Sequence, residues 1–443
     1  MKKKILLPLL VCLLTSCNTS TASLLKEPEI KYNQISSYNK DEYDKFVDTL
    51  NTFSSRITED SVNYFNETNE NFSVSPLSLY MALALVVECS NGNTRQEILD
   101  ELNMTYEQVN TFTKTLFELS TKQATKKNYE DESTEILSEE LVTNSIWIDN
   151  EIPLFEECLE KLALEYYCYS HEVDFNGNNK EANKRITEFV KEQTKGLIDS
   201  DFDLSEDAAI ALINTLYLKF NWHDEGEGLT YTSKEYEFTN YDNSITKTNL
   251  LVGDYYSGRV YQEETFSSFY TKNFNGYKLQ FIVPNDGYTL NEVYTKENID
   301  KMIKMDDYNS FDEETKTIYY TKCLFPEFET NCDIDYKKLF VENSEYDIQE
   351  LFGVADFSNL VDYANWNNTL YCDRIIHQTK LNVEKKGVEG AAVTIVVMNS
   401  ESTMLTPQDY KYVYEDFEVT KNFGFVITDK YDSVLFTGVV NNV

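Results

Sequence analysis

Residues 384–399 read EKKGVEGAAVTIVVMN, in which a charged start is followed by small and apolar residues. Because successive side chains of a strand point to opposite faces, counting from Gly387 divides this run into two sets. One set carries no charge and is small near the glycine: Val388, Gly390, Ala392, Thr394, Val396 and Met398. The other set, which includes Ala391, has a single charge at Glu389, and residues 394–397 are all β-branched, which favours a strand. The run therefore suits a sheet, either as a permanent strand or as one added later.

Towards the N-terminus, helical signals dominate. Large apolar residues recur every three or four positions over residues 41–57, which predicts a first helix. A second helix is predicted to begin with Ser75 as N-cap and Pro76 in its first turn. Residues 94–97, TRQE, have the pattern of a capping box and predict a third helix. Residues 121–140 are rich in charge, which predicts a surface loop or helix.

Strand signals dominate the second half of the chain. Residues 208–220 are almost continuously apolar, as expected of a strand buried on both faces. The apolar runs Phe423–Thr428 and Val434–Val440 are separated by a short polar segment, which predicts a hairpin. Helices come first and strands later, without alternation of the two. This order predicts one α+β domain over residues 41–443 with no internal linker.

The N-terminal residues predict an exported protein. Residues 1–17, MKKKILLPLLVCLLTSC, combine three lysines with an apolar stretch too short to span a bilayer. Their end resembles a bacterial lipoprotein lipobox, which implies a signal peptide and a lipid on Cys17 that anchors the protein at the surface of the cell envelope. An ordinary secretory signal is the alternative. Residues 18–40 are rich in Ser, Thr and Asn, which predicts a flexible tether.

The composition excludes several classes of protein. The 443 residues are 41% hydrophobic and include only 14 Gly and 7 Pro, so the chain is neither collagen-like nor wholly disordered. The formal net charge of −37 repels phosphate backbones and anionic headgroups. We therefore expect no nucleic-acid partner, and contact with a membrane only through the lipid anchor.

No sequence pattern of a catalytic, cofactor or metal site is present. The chain lacks GxSxG, GxGxxG, P-loop, HExxH and CxxC motifs. Its three histidines, His171, His223 and His377, are far apart in the sequence. We therefore expect a protein that is not an enzyme and needs neither cofactor nor metal. The alternative is an exported hydrolase whose site follows no known motif.

Six cysteines lie beyond the leader, which is too few for a disulfide framework in a chain of this length. We predict that most are buried free thiols, with a bridge between Cys323 and Cys332 as the alternative. The six are Cys89, Cys158, Cys168, Cys323, Cys332 and Cys372.

Three separated blocks, taken in chain order, resemble the serpin family. They are NFSVSPLS at 71–78 with GNTR at 92–95; VDF at 173–175, QTKGLI at 193–198 and NTLYLKFNW at 214–222; and His377, EKKGVEGAA at 384–392 and LFTG at 435–438. The resemblance covers residues 41–443. It is specific because all the blocks occur in the order of the family.

The resemblance implies a fold and a mechanism. The expected fold is a single α+β domain of three β-sheets with eight to nine helices and an exposed reactive-centre loop at about 387–416. The expected activity is suicide inhibition of serine proteases, and of some cysteine proteases, by a monomer. The cleaved loop inserts into the main sheet while the acylated protease stays attached. A non-inhibitory serpin whose loop does not insert is the alternative.

The resemblance also assigns residues. The hinge comprises Gly387, Val388, Glu389, Gly390, Ala391, Ala392 and Thr394. Ser75, Ser78, Asn214 and His377 match the polar cluster beneath the opening sheet, and Trp222 matches the residue under its top. The usual spacing places the reactive bond at Glu401 and Ser402, with Met398, Met404 and Leu405 as alternatives. The loop is longer than usual, with Tyr410, Tyr412 and Tyr414 in the extra part.

Overall fold

The computed structural model describes residues 22–443 except 67, 128–131, 225–227, 306–307 and 391–409. Within these residues the chain forms nine helices: α1 (Lys40–Phe65), α2 (Pro76–Cys89), α3 (Gly92–Leu102), α4 (Tyr106–Leu119), α5 (Glu156–Glu165), α6 (Phe175–Gln193), α7 (Leu290–Val293), α8 (Lys296–Ile303) and α9 (Tyr336–Glu342). Helix α6 is kinked at Asn178, whose backbone is not helical. The predicted first helix is confirmed as α1.

The strands of the described chain follow in sequence order. They are β1 (Ala22–Lys26), β2 (Phe72–Val74), β3 (Lys122–Lys127), β4 (Thr134–Asp149), β5 (Cys168–Val173), β6 (Ile210–Asn221), β7 (Thr230–Tyr231), β8 (Tyr236–Thr239), β9 (Ile245–Thr248), β10 (Leu251–Val252), β11 (Tyr256–Ser257), β12 (Tyr261–Gln262), β13 (Phe266–Lys272), β14 (Lys278–Pro284), β15 (Phe311–Asp312), β16 (Thr317–Phe325), β17 (Phe328–Asp335), β18 (Ile376–Val383), β19 (Gly387–Gly390), β20 (Lys411–Glu418), β21 (Phe423–Thr428) and β22 (Val434–Val440). The described chain combines these strands with nine helices, which confirms the predicted α+β class.

Three sheets are formed by these strands. The main sheet has the order β1-β5-β4-β6-β19-β18-β17, with β3 beside β4, and continues into a second layer, β2-β22-β21-β14-β13-β12. The two parts are joined between β17 and β2 by a single residue pair, Asn331 with Phe72. The outer sheet has the order β11-β16-β10-β7, with β15 and β20 also paired to β16. Strands β8 and β9 form a separate ribbon, which gives the predicted total of three sheets.

Helix α2 lies between the two layers and places the polar cluster under the main sheet. It begins as predicted, because Ser75 is the N-cap and Pro76 occupies the first turn. Helix α2 is almost wholly buried and packs against β6 and β22. Its N-terminal residues therefore lie directly beneath the centre of the main sheet.

Both strand predictions in the second half of the chain are confirmed. The predicted long strand is β6, which pairs with β4 along most of its length, but residues 210–214 are only half-buried, so burial on both faces holds only for its second half. The predicted hairpin is formed by β21 and β22, which are antiparallel neighbours. These two hairpin strands are buried at every residue, which accounts for their uniform apolar sequence.

The prediction for residues 121–140 is wrong. These residues contribute β3 and the first part of β4, which pair with each other at the main sheet. Lys122, Glu139 and Glu140 are buried although they are charged. Charge did not indicate exposure here because Lys122 is paired with Glu140 and Asp429, and Glu139 accepts a hydrogen bond from Tyr32.

The predicted capping box at residues 94–97 does not form. Helix α3 begins at Gly92, before these residues. The Thr94 hydroxyl instead accepts a hydrogen bond from the Asp356 backbone, and the Glu97 carboxylate accepts one from the Glu350 backbone. Both side chains bind a segment that is distant in the sequence, so local spacing could not predict their partners.

The described part of the predicted tether, residues 22–40, is attached to the body. Strand β1 pairs with β5 and forms the edge of the main sheet. Further along, the Tyr32 hydroxyl donates to the Glu139 carboxylate over 2.6 Å, and the Ser36 backbone N–H donates to Glu118 over 2.6 Å. The prediction of a flexible tether up to residue 40 is therefore wrong from residue 22 onward.

The predicted end of the loop, at about residue 416, is also wrong. Strand β20 begins at Lys411 and runs parallel to β16 as far as Glu418. Tyr412 and Tyr414 therefore belong to the outer sheet and not to the loop. Part of the additional length that was assigned to the loop therefore belongs to β20.

Two further findings concern the whole described chain. Its six cysteines are free, so the alternative bridge between Cys323 and Cys332 is absent. Five of the six are buried, as predicted for structural thiols. Among the described residues, no helix is both long and apolar enough to cross a membrane.

Candidate functional site

The hinge residues at the start of the predicted loop form a short strand of the main sheet. Strand β19 lies between β6 and β18 and is antiparallel to both. Gly387 pairs with Asn221, and a Cβ atom at Gly387 would overlap the Phe220 carbonyl oxygen. Only glycine therefore fits this first position. Four residues of the predicted loop are already part of the sheet.

Val388 and Glu389 point to opposite faces, in agreement with the predicted alternation. Val388 is 1% exposed and pairs with Phe220 on β6 and Val383 on β18. Glu389 lies on the outer face, where its carboxylate is 3.8 Å from the Lys219 ammonium group. The uncharged set of alternate residues therefore faces the core where the described strand begins.

The remaining hinge residues and the predicted reactive bond lie outside the described residues. They are Ala391, Ala392, Thr394, Met398, Glu401, Ser402, Met404 and Leu405, as is the leader residue Cys17. The described chain continues at Tyr410.

Beyond Gly390 the two strands that flank the hinge enclose a cleft. In the described part of the sheet, β6 and β18 each pair with β19 but not with each other. A narrow cleft of about 30 Å³ lies between them, lined by Asn214 and Leu216 on β6 and by Gln378 and Thr379 on β18. This cleft continues the line of β19 along both strands. Among the described residues, no strand lies between β6 and β18 beyond Gly390.

Ser75, Ser78 and His377 form a buried hydrogen-bonded group at the floor of the cleft. The Ser75 hydroxyl accepts from the Ser78 backbone N–H over 3.2 Å, and the Ser75 backbone N–H donates to His377 Nε2 over 3.0 Å. Burial lowers the pKa of His377 to about 4, so its imidazole is neutral at neutral pH. An accepting Nε2 requires the proton on Nδ1, which only the neutral Nδ1–H tautomer provides.

Asn214 faces this group from the other side of the cleft and is not bonded to it. Its side-chain N–H donates to the Asn144 side-chain oxygen over 2.8 Å. Its own oxygen, Oδ1, is buried and has no hydrogen-bond partner among the described residues. A buried acceptor without a partner is costly, so this side of the cleft can accept a further donor.

Trp222 holds the chain that leads into the hinge. Its indole N–H donates to the Glu384 carbonyl over 2.9 Å, and its backbone N–H donates to the Lys386 carbonyl over 3.2 Å. The side chain is 1% exposed and packs edge-on against Phe220 and Phe325. Trp222 therefore fixes the point from which β19 starts.

A buried charged group near the hinge was not predicted from the sequence. Lys122 Nζ lies 3.2 Å from Glu140 and 3.0 Å from Asp429, and the Tyr277 hydroxyl donates to Glu140 over 2.8 Å. Burial opposes the positive charge of Lys122, but the two carboxylates outweigh it and raise the pKa of Lys122 to about 12. Burial raises the pKa of Glu140 to about 7 despite the attraction of Lys122.

This charged group supports the strand beside the hinge. Glu140 on β4 pairs with Leu218 on β6, and Leu218 pairs in turn with Gly390 on β19. No signal in the sequence identified it, because Lys122 and Asp429 are 307 residues apart.

Comparison with known proteins identifies relatives over almost the whole chain. A family model described as Serpin (serine protease inhibitor) matches residues 48–443. An uncharacterized serpin-like protein of Methanosarcina acetivorans is 22% identical over 410 residues, which cover 91% of this chain and 87% of that protein. Neuroserpin of Homo sapiens is 25% identical over 375 residues, which cover 80% of this chain and 84% of neuroserpin.

Solved structures show the same fold. The thermophilic serpin tengpin in its native state has a TM-score of 0.68 at 19% identity, covering 96% of this chain and all (100%) of tengpin. Thyroxine-binding globulin complexed with thyroxine has a TM-score of 0.67 at 18% identity, covering 90% of this chain and 99% of that one. At these identities the likeness concerns the fold.

Proposed function

Since this chain belongs to the serpin family, we propose that it is a suicide-substrate inhibitor of serine proteases, with some cysteine proteases as a second target class. The observation that carries the proposal is the position of β19. The hinge occupies the first pairing positions of a strand between β6 and β18, and no other described strand takes the positions that follow, where a narrow cleft lies. In this proposal the protein acts as a monomer, needs no cofactor and does not itself turn over a substrate.

The proposed reaction begins as ordinary proteolysis of the loop. The serine oxygen of the protease attacks the carbonyl carbon of the bait residue and forms an ester, while the peptide C–N bond breaks. The departing amine takes up a proton and leaves with the C-terminal part of the chain. The freed N-terminal part of the loop then continues β19 into the cleft, with the protease still attached through the ester.

The register of β19 predicts the pairing of each inserted residue. Gly390 pairs with Leu218 on β6, and Glu389 pairs with Asn382 on β18. Extending both ladders as far as residue 392 places Ala392 opposite Leu216 and Thr379. Two more residues place Thr394 opposite Asn214 and His377. Met398 then reaches Ile210, where β6 begins, so insertion ends before the predicted reactive bond.

The chemistry of the inward-facing set matches the walls of the cleft in this register. Thr394 is its only polar member, and its extended partners Asn214 and His377 form the polar layer of the cleft. The Thr394 hydroxyl can donate to Asn214 Oδ1, which has no partner among the described residues. The apolar members meet apolar residues such as Leu216, and burial of Val396 and Met398 contributes about 1.5–3 kcal/mol each.

We propose Glu401 as the bait residue, with Ser402 on the other side of the reactive bond. A glutamate bait predicts a target with a basic specificity pocket, whereas Met398, Met404 or Leu405 would predict a chymotrypsin-like or elastase-like target. Mass spectrometry of the peptide released during complex formation identifies the bond. A released peptide that begins at Ser402 supports the assignment, and any other N-terminus excludes it.

We further propose that Cys17 carries a lipid that holds the protein at the outer surface of the cell. Strand β1 begins at Ala22, so the chain between lipid and body can extend over at most about 18 Å. The body then lies close to the membrane. Expression of the full chain with labelled palmitate tests the anchor: label should appear in the parent and be lost in Cys17→Ser, and a label-free parent excludes the anchor.

A panel of serine and cysteine proteases tests the inhibitory function. A covalent band of high mass on a denaturing gel, with loss of protease activity, supports suicide inhibition. Cleavage of residues 391–409 without such a band supports a non-inhibitory serpin. Turnover of a substrate by the chain alone would support the hydrolase alternative.

A further inference from the structure

The outer sheet carries a cluster of exposed aromatic side chains. We call it the aromatic face, and it comprises Tyr255 before β11, Phe311 on β15, Tyr320 on β16, and Tyr412 and Tyr414 on β20. The parallel pairing of β16 and β20 places Tyr320 opposite Tyr414. Tyr412 is 53% exposed and Tyr414 is 61% exposed. Together with Tyr255 and Phe311 these rings form one contiguous patch, and the largest apolar patch on a protein surface is often functional.

The four tyrosine rings of the aromatic face stand against one another. Tyr320 is stacked on Tyr414, with centroids 5.6 Å apart, and on Tyr412, with centroids 6.5 Å apart. The Tyr255 ring meets Tyr414 edge-on at 5.2 Å. A sugar ring stacks on a free aromatic plane, but one plane of Tyr412 and one plane of Tyr414 are already covered by Tyr320. Ring edges and hydroxyl groups fit the mixed polar and apolar contacts of a protein surface.

The aromatic face is too small to hold a protein partner by itself, so it suits a partner that is also bound at a second surface. A tyrosine or phenylalanine can bury about 150–250 Å². Tyr255, Phe311, Tyr412 and Tyr414 are each about half exposed, so together they offer about 400 Å². A stable protein pair needs about 800 Å² on each partner. A second copy of this chain would therefore need more surface than the face provides.

The second contact is provided by the loop, which ends next to the face. Tyr412 follows Glu401 by eleven residues and Leu405 by seven, and these segments extend over at most about 40 Å and 25 Å. A protease of about 220 residues has a radius of gyration of about 17 Å. A protease bound at either bond therefore has its body within reach of the aromatic face.

The charges around the face favour a basic partner. Two lysines lie over rings of the face: Lys316 over Phe311, and Lys322 over Tyr255. The charge of Lys322 is offset by Asp416 at 3.5 Å. Glu418 is exposed on the same face of β20 as Tyr412 and Tyr414. The chain as a whole carries a net charge of −37. An acidic surface speeds association with a basic protein and repels an acidic one.

From these observations we infer that the aromatic face is a docking surface for the body of the target protease, and that this protease is basic. The inference rests on the proposed function, because the loop brings the protease to the face. Tyr412 and Tyr414 make the central contact. They act in recognition, before the loop is cleaved, and leave loop insertion unchanged.

The test separates docking from inhibition. The probes are basic serine proteases whose nucleophilic serine is replaced by alanine, so that they bind the loop but cannot form the ester. Their dissociation constants are measured for the parent chain, for the double variant Tyr412→Ser/Tyr414→Ser, and for Tyr371→Ser as a control. Tyr371 is 44% exposed and lies close to the start of β18, at the end of that strand farther from the hinge. Thermal melting of each variant verifies folding.

We expect the double variant to bind at least tenfold more weakly than the parent, the control to bind like the parent, and parent binding to weaken as salt rises. Equal binding by parent and double variant overturns the inference while leaving inhibition by active protease intact. Binding that depends on the tyrosines, without covalent complexes with active protease, supports docking and rejects the proposed function. Binding to none of the probes overturns both. Retardation of the parent, but not the double variant, in gels containing xylan or chitosan assigns the face to polysaccharide and also overturns the inference.

Discussion

A charge at residue 392 should convert the inhibitor into a substrate, because the inserted loop must bury this side chain. Continuing the register of β19 places residue 392 between Leu216 and Thr379, both of which are buried. In Ala392→Glu a carboxylate enters this position without a cation, at an effective cost of several kcal/mol. A rise of about 2.7 kcal/mol in the barrier slows insertion about 100-fold. The acyl-enzyme is then hydrolysed before insertion is complete.

Ala391→Glu is the matched control, because it adds the same charge one residue earlier and on the other face. In the extended register residue 391 lies opposite Lys380, whose side chain is 39% exposed. The stoichiometry of inhibition is measured as the moles of chain needed to inactivate one mole of protease. We expect it to rise at least tenfold for Ala392→Glu and to stay within twofold of the parent for Ala391→Glu. Equal stoichiometry in the two variants would refute the register and, with it, the insertion mechanism.

Four further outcomes follow from buried side chains. The pKa of His377 is lowered to about 4 from its ordinary 6.5, so the stability that the neutral imidazole contributes is complete above pH 6.5 and is lost as the pH falls through 4. In urea unfolding, His377→Gln should therefore lose less stability than the parent between pH 6.5 and 4.5. Equal losses in the two proteins would contradict this. His377→Gln should also change the stoichiometry of inhibition, because it alters the acceptor that holds the Ser75 backbone, and an unchanged value would argue against a gating role. Lys122→Met should destabilise the chain by about 3–5 kcal/mol, because it leaves Glu140 and Asp429 buried without a cation. If adding Glu140→Gln to this variant restores no stability, the unpaired carboxylates are not the cause of the destabilisation. Titration with a thiol reagent in denaturant, without reductant, should find all six cysteines of residues 22–443 free, and a lower count would indicate a disulfide.

The parts of the fold that depend on neighbouring residues could be predicted from the sequence. The cap of α2 at Ser75 and Pro76 is local, and the hairpin of β21 and β22 joins strands separated by a short turn. The alternation at Val388 and Glu389 follows from strand geometry alone. These features need no partner from elsewhere in the chain.

The features that the sequence did not reveal depend on distant partners. Lys122 is buried because Asp429 reaches it from the end of β21, and Thr94 binds the Asp356 backbone in preference to its own helix. Strands β1 and β20 exist because β5 and β16 offer unpaired edges to them. For β20 a usable signal was present, since Tyr410, Tyr412 and Tyr414 alternate as residues of a strand do.

The melting temperature of the chain before and after one cut within residues 391–409 tests the central claim most directly. If the cut loop fills the cleft between β6 and β18, the cleaved form gains a central strand and should melt far above the intact form. If the two forms melt at the same temperature, the cleft stays empty after cleavage, and the proposed insertion of the loop is contradicted.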